Sequence, residues 1–118
     1  MAKRQKSEFG EFLVQEIKKA DMSQETFYKA VGIAKPYFYD LLTSAPPPPE
    51  IQKKMISVLE NKTGFEINRR NKLLNLAAQG RNEIPADIER IIKSNVNDWD
   101  YIREILAGAM SMSVSNSE

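Results

Sequence analysis

Apolar residues in this chain recur every three to four positions, and nowhere do they alternate with polar ones over the length of a strand. Phe9, Phe12, Leu13, Ile17 and Ala20 fall at i, i+3, i+4, i+8 and i+11, one face of a helix over about 7 to 20 with Ser7 as its N-cap. Asp21-Met22-Ser23 breaks the pattern, and Ser23 caps a second helix over Gln24 to Val31. Gly32 ends it, since the residue just past a helix C-terminus often needs a positive φ. Ile33 and Ala34 make the turn. A third helix over Lys35 to Leu42 tolerates Pro36 in its first turn, where the missing N–H has no intrahelical acceptor. The expected fold class is all-α.

Four consecutive prolines, Pro46 to Pro49, punctuate this pattern. Each biases its predecessor toward extended geometry, so residues 43 to 49 are expected to be a stiff, non-helical connector rather than a floppy linker. As a rigid spacer ending at a helix start, the run reads better than as a ligand for SH3 or WW modules. Ile51, Met55, Val58 and Leu59 then predict a helix over about 49 to 61, punctuated by Gly64. Ile67, Leu73, Leu74, Ala77 and Ala78 predict a fifth, closed by Gly80. Two shorter segments follow, Pro85 to Ser94 and Asp98 to Ala109, and residues 111 to 118 carry no periodicity and are expected to be a disordered tail. The expected organisation is a domain over 1–80, a helical extension over 81–110 and the tail.

Composition narrows the chemistry. With 118 residues and a hydrophobic fraction of 42%, the chain can bury a sizeable core. It has no Cys and no His, which removes disulfides, the usual ligands of zinc, iron and copper, and the commonest general base. The basic start Met1 to Lys6 runs into Ser7-Glu8 rather than an apolar stretch, and no apolar run approaches the roughly 20 residues that span a bilayer. A cytoplasmic protein without a membrane partner, metal or cofactor is expected. The net charge of +1 conceals a gradient: seven basic and six acidic residues over 1–43, six and three over 44–80, four and seven over 81–118. The first two stretches can face a polyanion; the last cannot easily do so.

The window Gln24 to Thr43 is the informative one. A helix of eight residues, a glycine turn and a second short helix is the spacing that lets the second helix enter a major groove. Phe27, Val31, Phe38 and Leu41 must point inward and Ile33 must anchor the turn, which leaves Lys35, Pro36, Tyr37, Tyr39 and Asp40 facing outward.

The stretch Ser23-Gln-Glu-Thr-Phe-Tyr-Lys-Ala-Val-Gly-Ile-Ala-Lys-Pro-Tyr-Phe-Tyr-Asp-Leu-Leu42 resembles the helix-turn-helix of the phage-repressor family, also called the XRE or Cro/repressor family. The resemblance spans about residues 7 to 80, and five helices at these spacings match that family's domain. Ala45-Pro-Pro-Pro-Pro-Glu50 and Leu76-Ala-Ala-Gln-Gly-Arg-Asn-Glu-Ile-Pro-Ala-Asp-Ile88 resemble a subgroup of small regulators of Gram-positive bacteria and their mobile elements. Two positions depart from the family pattern. Tyr28 stands where a small alanine is usual, so that either the two helices are splayed or the register shifts and Ala30 fills the contact. Ala34 replaces the usual Ser or Thr cap, leaving the third helix's start less well satisfied.

The resemblance implies double-stranded DNA as partner and assigns roles. Gln24 would contact a phosphate beside a helix N-terminus. Lys35 would donate to guanine or phosphate, Asp40 would accept from a cytosine amino group, and Tyr37 and Tyr39 would meet thymine methyls or phosphates. Thr43 and Ser44 are backbone-contact candidates, and Lys3, Arg4 and Lys6 form a basic arm that either follows the DNA backbone or is an ordinary solvated terminus. The acidic, Trp-containing segment Ile84 to Ala109 reads as a homodimerisation element or as completion of the core, dimerisation being favoured.

These residues suit three function classes unequally. A transcriptional repressor acting by operator occupancy leads. A protein-interaction adaptor such as an antitoxin or anti-repressor is the alternative, favoured by weak net charge, Asp40 and the outward tyrosines. An enzyme is not expected: Glu83, Asp87 and Glu89 are close in sequence, but no phosphate loop, nucleophile elbow or ligand cluster accompanies them.

Overall fold

A computed structural model describes residues 5–110. Among these residues there is no strand. The helices are α1 (Glu8–Lys19), α2 (Gln24–Val31), α3 (Lys35–Thr43), α4 (Pro49–Thr63), α5 (Ile67–Arg81), α6 (Ala86–Ser94) and α7 (Trp99–Ala109), with one 3₁₀ turn, Val96–Asp98, before α7. None is long and apolar enough to cross a membrane. The chain divides into two units, one through Ala86 and one from Asp87.

The first unit closes α1 to α5 around one core. The inward stripe of α1 contributes Phe9, Leu13 and Ile17, all but fully buried, and packs against α5, α3 and α2. Phe27, Phe38, Met55, Leu59 and Leu73 complete its centre. Each such side chain contributes roughly 1.5–3 kcal/mol on burial, which outweighs the weak intrinsic preference of helices as short as α2 and α3.

Local signals set most ends. The Gly10 N–H donates to Ser7 Oγ at 3.0 Å and the Thr26 N–H to Ser23 Oγ at 3.0 Å, so both serines cap as expected. Pro36 lies in the first turn of α3 and Pro49 opens α4. The non-helical connector is thus Ser44 to Pro48, one residue shorter at each end than expected; Pro48, at φ −67° and ψ 166°, has polyproline-like geometry. The helix of α4 runs past residue 61 to Thr63, and α3 runs one residue past Leu42.

One expected end is corrected. Gly80 does not close α5; it lies inside the helix, and Asn82 caps it in the left-handed region at φ 57°. Gly80 instead faces the connector. A Cβ placed there would lie 2.5 Å from Cγ of Pro46, so the helix and the proline ring meet only because the side chain is missing. Beyond it, Arg81 donates to the Pro46 carbonyl at 3.3 Å and pairs with Glu83 at 3.0 Å. The first unit runs on through Ala86. The connector is also held from α4, where buried Gln52, 2% exposed, donates from Nε2 to the Pro47 carbonyl at 2.9 Å.

The second unit holds most of α6, the 3₁₀ turn and α7. Two side chains satisfy carbonyls at the end of α6: Asn95 Nδ2 donates to Ile91 at 2.6 Å and Trp99 Nε1 to Ile92 at 2.7 Å. No residue of α6, the turn or α7 is buried. The expected disordered tail, residues 111–118, lies outside the described residues.

Candidate nucleic-acid interface

The two helices of the informative window are joined by a backbone reversal that only a residue without a Cβ adopts freely. Gly32 sits at φ 92° and ψ 29°, and its N–H donates back to the Tyr28 and Lys29 carbonyls. The Ile33 N–H also donates to Tyr28 O, at 3.0 Å, and the Ile33 side chain packs against the core. The chain then enters α3 at Ala34, which has extended geometry and makes no side-chain cap bond, as its sequence implies.

Aromatic packing holds the two helices. Phe27 and Phe38 are fully buried with ring centroids 6.1 Å apart. Tyr28, 8% exposed, lies 5.3 Å from Phe38 with the rings tilted by 41°. The alternative that Ala30 fills this contact is ruled out, because Ala30 is exposed. The bulky ring is accommodated within the α2–α3 contact, as a face of the aromatic cluster, and offset or tilted pairs of this kind add to simple burial. Val31 and Leu41 are buried, so all four residues expected to face inward do so.

The other side of α3 is open. Lys35, Pro36, Tyr37, Tyr39 and Asp40 are all exposed, Tyr37 by 39% and Tyr39 by 41%. The Lys35 ammonium lies 5.9 Å from the centroid of the Tyr39 ring, at the edge of cation–π range. Thr43 is half-buried and donates from Oγ1 to the Tyr39 carbonyl at 2.9 Å, while exposed Ser44 caps the helix with its N–H on the Asp40 carbonyl at 2.8 Å. Gln24, half-buried, is the first residue of α2.

The start of α1 is latched to the end of α3. The Ser7 N–H donates to the Leu42 carbonyl at 3.0 Å and the Ser7 hydroxyl donates to the same oxygen at 3.3 Å. Gly10 makes this approach possible: a Cβ there would lie 2.8 Å from the Leu42 carbonyl carbon and 2.9 Å from its Cα, and closer still to the oxygen. Exposed Lys6 precedes this latch, which brings it to the end of α3 where Thr43 and Ser44 lie. A cation there also complements the negative end of the helix dipole. Lys3 and Arg4 lie outside the described residues.

A pair of charges on α2 was not singled out from the sequence, although its i, i+4 spacing is a signal that could have found it. Lys29 Nζ lies 2.9 Å from Glu25 Oε2, with both side chains largely exposed. The hydrogen bond and charge of Lys29 hold the Glu25 carboxyl below its ordinary value, and the charge of Lys35 acts in the same direction. Lys29 is raised above its ordinary value, first by the hydrogen bond it donates to Glu25 and then by the charge of that carboxylate. Among the described residues, no three Asp, Glu, His or Cys side chains lie together as metal ligands. The arrangement is thus an exposed, mixed-charge helix face on a buried aromatic base, able to offer hydrogen bonds and ring faces to a partner. No protein-family model, curated protein or solved structure matches the chain.

Proposed function

We propose that this protein is a sequence-specific regulator of transcription that binds double-stranded DNA and represses by occupying an operator. On this reading α1 to α5 form a repressor-like helix-turn-helix domain, with α3 as the recognition helix. One observation carries the reading: the left-handed turn at Gly32 and the buried Phe27–Tyr28–Phe38 cluster leave the outward face of α3 exposed along its length. A helix supported in this way can enter a major groove without rearranging its own core. Support also comes from the position of Lys6, and from the half-buried amide of Gln24 at the start of α2.

The protein acts as a cytoplasmic homodimer in this proposal, pairing through the second unit. Ile88, Ile91, Ile105 and Leu106 are each at least 44% exposed there, an apolar surface that pairing would cover. Two-fold pairing would suit a palindromic operator, with two recognition helices about one DNA turn apart. No cofactor is invoked, and the proposed activity is binding rather than catalysis.

Footprinting on the promoter of the protein's own gene tests the reading. Lys35→Ala and Tyr37→Ala should then alter sequence preference, whereas Gln24→Ala should weaken all sites about equally. The exposed Tyr37 and Tyr39 favour a second reading, an adaptor that uses this face for a protein partner. Titration of a random duplex at rising salt separates the two. A DNA binder loses affinity steeply, and an adaptor shows no salt-dependent duplex binding.

A further inference from the structure

We propose that Glu25 restrains the affinity of this protein for DNA by holding Lys29, a phosphate-contacting side chain that the carboxylate gives up when a duplex docks. The inference rests on the DNA-binding reading and adds to it one contact residue and one internal competitor.

Glu25 is the second residue of α2, beside Gln24, and Lys29 follows one turn later on the same exposed side. Their carboxylate and ammonium are 2.9 Å apart, and both side chains are more than 60% exposed, so an incoming phosphate oxygen can reach either. Lys35 opens α3 within the electrostatic reach of the same carboxylate. One acidic side chain therefore holds an exposed lysine of α2.

A DNA phosphate and a carboxylate are both oxygen anions that suit an ammonium donor. Exposed ion pairs are weak and easily exchanged, so a duplex bringing several phosphates at once displaces Glu25 from Lys29. The displaced carboxylate stays ionised and faces the polyanion, which weakens binding to every sequence alike. Glu25 thereby limits non-specific affinity and leaves discrimination to α3.

The experiment compares full-length protein, Glu25→Gln, Lys29→Gln and the double variant Glu25→Gln/Lys29→Gln on a short random-sequence duplex over a range of KCl concentrations. Glu25→Gln is expected to bind about three- to fivefold tighter at moderate salt, with a dependence on log[salt] steeper by up to about 0.9, because the wild-type carboxylate released from Lys29 takes back one of the cations that the duplex gives up. The double variant should lose that gain and return to the wild-type slope. A purely structural role for the ion pair would lower thermal stability in both single variants without steepening the slope, and that result overturns the inference. So does wild-type binding that Glu25→Gln leaves unchanged or weakens, and in that case the DNA-binding reading still stands. Absence of salt-dependent binding in every protein of the set removes both.

Discussion

Replacing Gly10 with alanine tests the α1–α3 latch on which the placement of the candidate face depends. The new Cβ would lie 2.8 and 2.9 Å from two backbone carbons of Leu42, which cannot swing aside as a side chain can. Ordinary carbon–carbon contact needs about 3.5–4.0 Å, so α1 must retreat by roughly 1 Å. Overpacking of this kind costs about 1–3 kcal/mol. The retreat also strains the Ser7 N–H bond to Leu42, worth about 1 kcal/mol. Against this, exchanging glycine for alanine within a helix gains at most about 1 kcal/mol. The expected net loss is about 2 kcal/mol, or a fall in Tm of about 10 °C for a unit of this size. Urea and thermal unfolding followed by far-ultraviolet circular dichroism would measure it. Gly108→Ala is the control, since a Cβ at that position meets nothing within 4 Å. It should leave the first unit's transition unmoved. If Gly10→Ala is neutral or stabilising, as helix preference alone dictates, the close approach of α1 to α3 is wrong and the position of Lys6 beside Thr43 goes with it.

Three further substitutions probe other parts of the fold. Tyr28→Ala should destabilise the protein by about 3 kcal/mol, because it empties a space now filled by a ring against Phe38; an unchanged unfolding midpoint would mean that the ring is not part of the core. Gly80→Ala should cost about 1 kcal/mol net, overpacking against Pro46 exceeding the gain in helix preference, and increased stability would show that the connector does not touch α5 there. Gln52→Glu places an acid where the amide donates to Pro47, and at neutral pH the buried carboxylate should cost about 3 kcal/mol. Burial would raise the folded-state pKa of this introduced group above its unfolded value of about 4.3, so its penalty fades as the pH falls toward that value and grows as the pH rises through the folded pKa. Unfolding at several pH values checks the sign, and a loss independent of pH would place residue 52 in contact with water.

What the sequence made legible was what short-range chemistry decides. Ser7 and Ser23 announce helix starts because their hydroxyls reach N–H groups three residues on, and Gly32 announces a stop because the left-handed turn is local. The apolar period placed every helix and the all-α class. What escaped depends on residues far apart in the chain. Gly80 looked like a terminus, but its reason is Pro46, and Gly10 offered no signal at all, its reason being Leu42. Gln52 carries a polar side chain into the core because the Pro47 carbonyl awaits it, a pairing no periodicity encodes. Of the candidate interface, the outward set on α3 was readable from the helical period alone. The burial of Tyr28 and the charge pair beside it needed the packed α2–α3 corner and the i, i+4 spacing to be considered together.

The docking of α1 on α5 has a consequence for biosynthesis. Phe9 and Leu13 share a core with Leu73 and Ala77, so the two ends of the first unit are each other's partners. A chain emerging from the ribosome amino end first makes α1 long before the surface that receives it, and burial of its apolar stripe waits for α5. Closure then comes late and all at once, and the amides of both terminal helices should gain protection from hydrogen exchange in a single step. Trimming either end would accordingly remove half of one contact and leave the other half without a surface to cover.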